Sequence, residues 1–421
     1  MMIESMTRKV KRRDIQLLAF FILLNCRFYN CTIYSVTAIK WLTYIGEFII
    51  AFYFFFCFLH VKRTNTTFLE KTVILLLGIF GMSIVNGILH GEEAIYVIRT
   101  GAKWFCAWGI FYFLSYKNFD EKTVLDVLWK FVMVYMVIRL LCYVQFPDCW
   151  FGMAKVDVGE YIEKIKGDYE TRGVLRISLP FAMVVPLFIF QKMYRFELVF
   201  SNLMSLGVLF FYMILLGNRF PLFTLGVVGC IVVLFSTTIS TSQKVKLMVA
   251  GLFLVILVYY LPFTHNVMEN LLSFSEEQAE ANAAGHENIR ITMATYMFTE
   301  YNGDNIYKIL FGNGLIVPNA GGVAKEFEMM QDEFGFFTSD VGYCFLYISF
   351  GLIGVLMVLV WFVAAMRIKV ERQYIFIKFF FSFIMLSMIA GGYWFEDLLV
   401  MSVLTYVLVK SSHRVSRGIT R

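Results

Sequence analysis

Residues 213–226 read MILLGNRFPLFTLG, in which two apolar runs are joined by the short polar stretch GNR. The runs extend over residues 197–216 and 220–238, and each is long enough for an α-helix to cross a hydrocarbon core of about 30 Å. Pro221 stands at the start of the second run, where the first turn of a helix leaves the backbone N–H unpaired, so its missing N–H costs nothing. The stretch therefore predicts a tight hairpin of two transmembrane helices, with Arg219 at its tip.

The composition of the whole chain is that of an integral membrane protein. Of its 421 residues, 59% are hydrophobic and 16% are charged, and the mean hydropathy is +0.70. These values lie outside the usual range of soluble domains. The recurring apolar runs predict an all-α fold, a polytopic transmembrane helix bundle of about 12 spans that forms one membrane domain over residues 1–421.

The charge of the connections gives this bundle an orientation. The predicted spans are residues 14–34, 41–61, 72–90, 95–115, 123–145, 174–192, 197–216, 220–238, 246–262, 340–364, 374–392 and 397–411. The connections HVKRTNTT, KNFDEKT, QKMYRFE, TSQKVK and MRIKVERQ and the C-terminal KSSHRVSRGITR are short and mostly basic. Because cytoplasmic loops are enriched in lysine and arginine, these connections and both termini are predicted to be cytoplasmic.

Two long polar segments are then predicted to be outer loops, residues 147–173 and residues 263–339. The second segment lies between spans 9 and 10 and contains the helical pattern HENIRITMATYMFTEY, followed by the turn-rich FGNGLIVPNAGG. Loops of this length are usually functional or disordered, and the periodic apolar positions favour order. We therefore expect short helices here, and the chemistry of the protein on its outer face.

Several classes of chemistry have no support in the sequence. The eight cysteines lie mainly in apolar runs without CxxC pairs, which is typical of buried small hydrophobes, so neither a metal site nor a disulfide framework is predicted. The net charge of +6 is carried mostly by short loops and reports orientation, not nucleic-acid binding. The outer loops contain no DxD-type pair, GxSxG or Walker A motif. No cofactor is predicted, and a donor already activated on a lipid carrier fits better than a nucleotide sugar or ATP.

Several arginines lie on the predicted outer face, although positively charged residues of membrane proteins are usually enriched on the cytoplasmic side. Arg172 and Arg176 are four residues apart at the start of the sixth span, and Arg290 lies on the predicted helix of the large loop. Each of these arginines, taken singly, could simply be a surface charge. Arg219 could be a side chain that extends to the lipid headgroups. Together they predict binding of an anionic lipid headgroup, most simply a pyrophosphate, because guanidinium groups bind phosphate oxygens bidentately.

A transfer reaction also needs a base, and Asp340 stands where the large loop re-enters the membrane. A carboxylate at the bilayer edge is partly desolvated, which suits it to accept a hydroxyl proton. The alternative is structural, because Ser339 and Asp340 are both good caps for the tenth span. His286 and Glu287 are alternative bases.

Three stretches of the chain resemble the Wzy-type polymerases of bacterial O-antigen and capsular polysaccharide, a family related to the O-antigen ligases. They are LLGNRFPLFTLG at the start of a span, NIRITMATYMF followed by ILFGNG in the large loop, and the re-entry SDVGYCFLYISFGLIG. Their order and spacing are similar to those of the family across residues 170–360. Outside residues 170–360 the chain resembles the family only in its pattern of hydropathy.

The resemblance implies a metal-independent glycosyltransferase that acts on polyprenyl-pyrophosphate-linked oligosaccharides in the bacterial cytoplasmic membrane. A sugar hydroxyl of an incoming lipid-linked repeat unit would attack the anomeric carbon of the donor glycan and release undecaprenyl pyrophosphate. A flippase and a chain-length regulator would be its partner proteins. The resemblance implies that Arg219 and Arg290 bind and neutralise the leaving group, assisted by Arg172 and Arg176. With Asp340 as the base, the predicted catalytic residues are Asp340, Arg219 and Arg290, and the predicted substrate-binding residues are Arg172, Arg176, His286 and Tyr343.

Two other functions use a similar architecture. The ligases of this superfamily carry a histidine near the re-entry position, where this chain has Thr338, Ser339 and Asp340. A flippase for lipid-linked oligosaccharides would also have about twelve spans, but its charges are expected at mid-membrane depth and its loops short. The SDVGY context favours a polymerase over a ligase, and the large loop favours it over a flippase.

Overall fold

The structure is a computed structural model. It describes residues 11–25, 36–61, 66–145, 182–195, 200–215, 219–236, 239–260, 288–317, 321–337, 340–391 and 394–418, and the single positions 269, 273, 276 and 280.

Throughout these residues the secondary structure is helical, with no strand among them, as the composition predicts. The helices are α1 (Arg12–Asn25), α2 (Val36–His60), α3 (Phe68–Leu89), α4 (Ala94–Lys117), α5 (Glu121–Gln145), α6 (Val185–Tyr194), α7 (Phe200–Leu215), α8 (Arg219–Phe235), α9 (Thr241–Tyr260), α10 (Ile289–Thr299), α11 (Ile306–Phe311), α12 (Gly322–Phe334), α13 (Gly342–Arg367), α14 (Ile375–Ser387) and α15 (Trp394–Ser416). Short 3₁₀ turns precede α6 and α14.

Each of the twelve predicted spans coincides with one of these helices, as far as the described residues extend. In the part of the chain that the structure describes, four helical segments are long and apolar enough to cross a membrane, namely Trp41–His60, Phe68–Leu89, Gly342–Arg367 and Leu398–Ser416. Phe200–Ile214 and Phe220–Phe235 are apolar but shorter. The chain therefore has the helices of a membrane protein, while the count of twelve crossings stays a prediction.

Aromatic side chains fill the core between the longest helices. α4 packs against α2, α3 and α15, and α13 packs against α3 and α14. Trp108 of α4 and Trp361 of α13 are both fully buried and meet edge to face, with ring centroids 4.7 Å apart. Phe80 of α3 lies 4.8 Å from the Trp104 ring in the same layer. Because large aromatic side chains bury the most apolar area, this layer holds α3, α4 and α13 in fixed positions.

Charged pairs tie the helices together at one end of the bundle, which we call the basic end. Lys117 at the end of α4 lies 3.3 Å from Asp14 of α1. Arg414 near the end of α15 lies 2.9 Å from the carboxylate of Glu121, which is fully buried at the start of α5. The pairs join the KNFDEKT connection, the C-terminal helix and the N-terminal helix, all of which the charge pattern predicts to lie on one side. Which side of a membrane this is stays a prediction.

The opposite end of the bundle carries residues 288–337, which we call the docked segment. It contains α10, α11 and α12, of which α10 and α11 pack against α13. Short helices were expected in this part of the predicted large loop, and α10 coincides with the helix predicted there. Its N-cap is Asn288, whose side chain accepts a hydrogen bond from the backbone N–H of Arg290 (3.0 Å).

The docked segment enters a break in α13. Gly351 has φ +66° and ψ −173° inside this helix, a conformation that favours glycine, and an added Cβ would lie 2.3 Å from the carbonyl of Leu310. Gly312 in the docked segment meets the break from the other side, with its added Cβ 2.6 Å from the backbone nitrogen of Gly351. Two glycines are therefore needed for the two backbones to approach this closely.

We expect Gly351→Ala to destabilise the protein by about 2 kcal/mol or more, because alanine is strained at this φ and its Cβ collides with backbone. The measurement is the apparent melting temperature in detergent micelles. Gly81→Ala in α3 is the matched control, since nothing lies within 4 Å of the added Cβ. An equal effect of the two substitutions would contradict the proposed fit.

Candidate functional site

Hydrogen bonds from asparagines hold the docked segment in the break of α13. The backbone N–H of Asn313 donates to the carbonyl of Ile348 at 2.7 Å, just before the break. Asn86 of α3 donates from Nδ2 to the carbonyl of Phe311 at 3.1 Å and accepts from the hydroxyl of Tyr307 at 2.6 Å. Asn86 and Asn313 are each 1% exposed. Since buried polar groups need partners, these bonds fix the position of the segment.

Two neighbouring contacts extend this network. The hydroxyl of Ser83 donates to the carbonyl of Ser349 at 3.1 Å, again next to the break. His90, directly after α3, places Nδ1 2.9 Å from the carbonyl of Asn313. Because a carbonyl can only accept, Nδ1 carries a hydrogen, and Nε2 is the nitrogen able to take a proton when the ring is neutral.

Arg290 and Asp340, both predicted as catalytic from separate stretches of sequence, meet in the structure. The Nε of Arg290 on α10 lies 3.7 Å from Oδ2 of Asp340, and each side chain is 42% exposed. The docked segment therefore brings a guanidinium to the point where the chain enters α13. A cation and a carboxylate that both face solvent are the kinds of group that bind an anion and accept a proton.

Asp340 does not cap the helix that follows it. α13 begins at Gly342, and its N-cap residue is Val341, which makes no side-chain capping bond. The N–H of Gly342 donates instead to the carbonyl of Met388, at the end of α14 (2.9 Å). Of the two roles that the sequence allowed for Asp340, capping is therefore not the one seen. Ser339 lies outside the described residues.

The other predicted site residues have different outcomes. Tyr343 donates its hydroxyl to the carbonyl of Met385 on α14 at 2.9 Å, so its contact is within the bundle, and substrate binding stays a prediction. Arg219 is the first residue of α8, but its side chain is not described. The remaining residues, which lie outside the described part of the chain, are Arg172, Arg176 and His286.

A further arginine at this end of the bundle is held by aromatic rings. Arg99 of α4 donates from Nη1 to the hydroxyl of Tyr44 at 2.8 Å, and its guanidinium lies 4.4 Å from the centroid of the Tyr44 ring. Tyr96 lies on its other side at 5.6 Å. These cation–π contacts pin α2 to α4. Arg99 is therefore a packing residue in this structure, whereas Arg290 meets the carboxylate of Asp340.

A buried carboxylate connects the bundle to α12. Glu92, in the turn between α3 and α4, is 4% exposed and accepts a hydrogen bond from the backbone N–H of Ala324 at 2.8 Å. It thus pairs with the N-terminus of α12, where N–H groups lack partners within the helix. Burial raises the pKa of Glu92 above the ordinary glutamate value, against the lowering effect of the hydrogen bonds from Ala324 and Val323.

The residues that dock the segment were not predicted from the sequence. Asn86, His90 and Glu92 follow one another in SIVNGILHGEE at the end of an apolar span. A polar side chain in an apolar helix usually has a specific partner. The polar residues at the end of this span were therefore the sequence feature that could have indicated a contact with another segment. The carbonyl that Asn86 binds belongs to Phe311, which lies 225 positions further along the chain. No local pattern connects the two.

The fold and the site define a helical membrane protein with a docked segment that presents an arginine–carboxylate pair at one end of its bundle. The chain matches none of the known protein-family models, and no curated protein is significantly similar to it in sequence.

We expect the docking of α12 to weaken as the pH rises. A carboxyl whose pKa is raised by folding binds its proton more tightly in the folded state, so stability is highest below the ordinary glutamate value, falls as the pH rises through it, and levels off above the folded value. Glu92→Gln keeps an acceptor oxygen for Ala324 but cannot ionise, so it should flatten this dependence. The measurement is proteolytic cleavage of the docked segment between about pH 4 and pH 7.

Glu93→Gln is the control for this experiment. Glu93 is exposed, and although it is the N-cap of α4 its side chain makes no capping bond. This variant should show the pH dependence of the wild type. If Glu92→Gln also retains that dependence in full, the assignment to Glu92 is wrong.

Proposed function

We propose that this protein polymerises lipid-linked oligosaccharide repeat units at the outer face of a bacterial cytoplasmic membrane. It would transfer the growing glycan from undecaprenyl pyrophosphate to the terminal sugar hydroxyl of an incoming lipid-linked repeat unit. The observation that carries the proposal is the pairing of Arg290 with Asp340, 3.7 Å apart and exposed, at the end of the bundle opposite the basic end.

The orientation follows from charge. The basic end would face the cytoplasm by the positive-inside rule, which puts the docked segment and the Arg290–Asp340 pair outside. Twelve crossings with both termini in the cytoplasm are part of this proposal. A lipid-linked substrate would reach the site from the outer leaflet, with its carrier chain remaining in the bilayer.

The chemistry divides between charge stabilisation and proton transfer. Arg290 would bind the diphosphate, together with Arg219, which begins α8, and with Arg172 and Arg176. Cations aimed at the departing diphosphate stabilise the charge that develops on it, and a well-placed donor of this kind contributes on the order of 3 kcal/mol to the rate. Asp340 would take the proton of the attacking hydroxyl.

The proposal also includes the chemical class and the partners. The reaction would be a glycosyl transfer in which the lipid carrier has already activated the donor, so the chain's own residues would position substrates and move one proton. A flippase would supply the lipid-linked units, and a chain-length regulator would limit the product.

We expect Arg290→Ala and Arg219→Ala each to reduce polymer formation by about 100-fold or more, so that the lipid-linked single repeats are left unpolymerised. Lysine at either position should restore little, because an ammonium cannot bind phosphate bidentately. The measurement is the ladder of chain lengths formed by the purified protein from a lipid-linked repeat unit, read on a gel.

Arg372→Ala is the matched control, since Arg372 is an exposed arginine in the short turn before α14, at the basic end. It should give the wild-type ladder. Wild-type chain lengths from Arg290→Ala would contradict the proposed site.

A further inference from the structure

The short helix α11 docks on α3 and α13, both of which are long and apolar enough to cross a membrane. The hydroxyl of Tyr307 on α11 donates to Oδ1 of Asn86 on α3 at 2.6 Å. Leu310 of α11 lies against the break of α13 at Gly351. The depth of α11 in a membrane is therefore set by the positions of these contacts along α3 and α13.

Both α3 and α13 have one end at the basic end of the bundle. Glu70, in the first turn of α3, lies 3.6 Å from His413 near the end of α15. The backbone N–H of Glu371, shortly after the end of α13, donates to the hydroxyl of Ser411 on α15 at 2.9 Å. Arg414, one of the residues that define the basic end, lies on the same part of α15. Distances along α3 and α13 can therefore be measured from one common edge.

Measured from that edge, the two helices place α11 at the same depth. Charged side chains mark where each span leaves the headgroups, and these are Lys71 on α3 and Arg367 on α13. Asn86 lies 15 residues from Lys71 (86 minus 71), and Gly351 lies 16 residues from Arg367 (367 minus 351). At about 1.5 Å per residue these separations are about 22 Å and about 24 Å, and tilting would reduce the depth they reach. Both fall within a hydrocarbon core of about 30 Å.

At this depth α11 presents an apolar surface. Ile306 is 70% exposed, and Tyr307 is 45% exposed although its hydroxyl is bonded to Asn86. Next to Asn86, Val85 and Leu89 of α3 are 55% and 71% exposed, and their spacing of four residues puts them on one face. We call Ile306, Tyr307, Val85 and Leu89 the α11 patch. Exposed apolar patches of this kind mark contacts with another protein or with a membrane, and this one adjoins a candidate membrane span.

The backbone around α11 also meets the requirement for polypeptide inside a membrane. The exposed residues belong to a helical turn, which ends with the N–H of Gly312 donating to the carbonyl of Lys308 at 2.8 Å. The non-helical residues 312–315 that follow are buried, and the N–H of Asn313 donates to the carbonyl of Ile348. Irregular backbone is tolerated at membrane depth where protein buries it, and exposed backbone there is helical.

We propose that α11 is a membrane-embedded turn, and that acyl chains of the leaflet opposite the basic end cover the α11 patch. Lys308, the one charged residue in the sequence of α11, has a stem long enough to carry its ammonium to the headgroups. Part of the predicted outer loop, residues 263–339, thus lies inside the membrane. This placement holds whether or not the protein transfers sugars.

The test places the wild-type full chain in nanodiscs of phosphatidylethanolamine and phosphatidylglycerol that contain a phospholipid with a diazirine on its acyl chain. After irradiation, mass spectrometry of the protein fragments locates the residues that carry lipid. We expect lipid adducts on Ile306 or Tyr307, as well as on the exposed face of α3. The internal control is α12, which is attached at Glu92 beyond the end of α3 and should carry none. Adducts on α3 but not on α11, or adducts as frequent on α12 as on α11, would overturn the proposal.

A thiol at the same position distinguishes lipid from water. In the same nanodiscs without the diazirine lipid, Ile306→Cys should react with a membrane-impermeant sulfonated maleimide at least about ten-fold more slowly than Glu328→Cys, because apolar surroundings disfavour the thiolate. Glu328 is an exposed residue of α12 in the same docked segment. The rate is read by mass spectrometry on the fragment that carries the new thiol. Equal rates would put α11 in water and overturn the proposal. A slow rate without lipid adducts on α11 would show that protein covers the patch, which overturns it as well.

Discussion

The arrangement of this protein depends on how the broken backbone of α13 is satisfied. Carbonyls before a helix break lose the N–H groups of the following turn, and unpaired polar groups are costly in an apolar interior. Here the carbonyl of Ile348 receives the N–H of Asn313, and that of Ser349 receives the hydroxyl of Ser83. The break and the docked segment therefore require each other. Gly351 and Gly312 make the contact possible, because a side chain on either would occupy the space of the other backbone.

The position of the candidate site follows from this constraint. Asp340 leads into the half of α13 that precedes the break, while Arg290 lies on α10 of the segment that enters it. Asn86 and Glu92 attach the same segment to α3 and to the turn that follows it. Because the segment is held at several buried points, the Arg290–Asp340 pair can be exposed and still keep a defined geometry. Buried hydrogen bonds fix the segment, and the Arg290–Asp340 pair places partly exposed charges at its edge.

The two ends of the bundle use charge differently. At the basic end, Arg414 meets a Glu121 that is fully buried, and Lys410 donates to the backbone carbonyls of Asn118 and Phe119 after α4. These contacts join helix ends. At the other end, Arg290 and Asp340 are both exposed and meet through one long contact. Breaking a pair in which the carboxylate is fully buried is costly, whereas an exposed pair contributes little. This difference in burial of the carboxylate distinguishes the basic end from the candidate site.

The sequence by itself determined the helical class, the position of the helices and the grouping of the short basic connections, because apolar run length and charge are local properties. It also selected Arg290 and Asp340 as separate candidates, from their charge at a predicted membrane edge. It could not show that they pair, nor that Asn86, Ser83 and Asn313 hold the docked segment, because these partners are far apart in the chain. It also gave no sign that α13 is broken at Gly351, since a glycine within an apolar run is compatible with a continuous helix. Those features were decided by the tertiary structure, where two backbones approach closely enough to satisfy each other's hydrogen bonds.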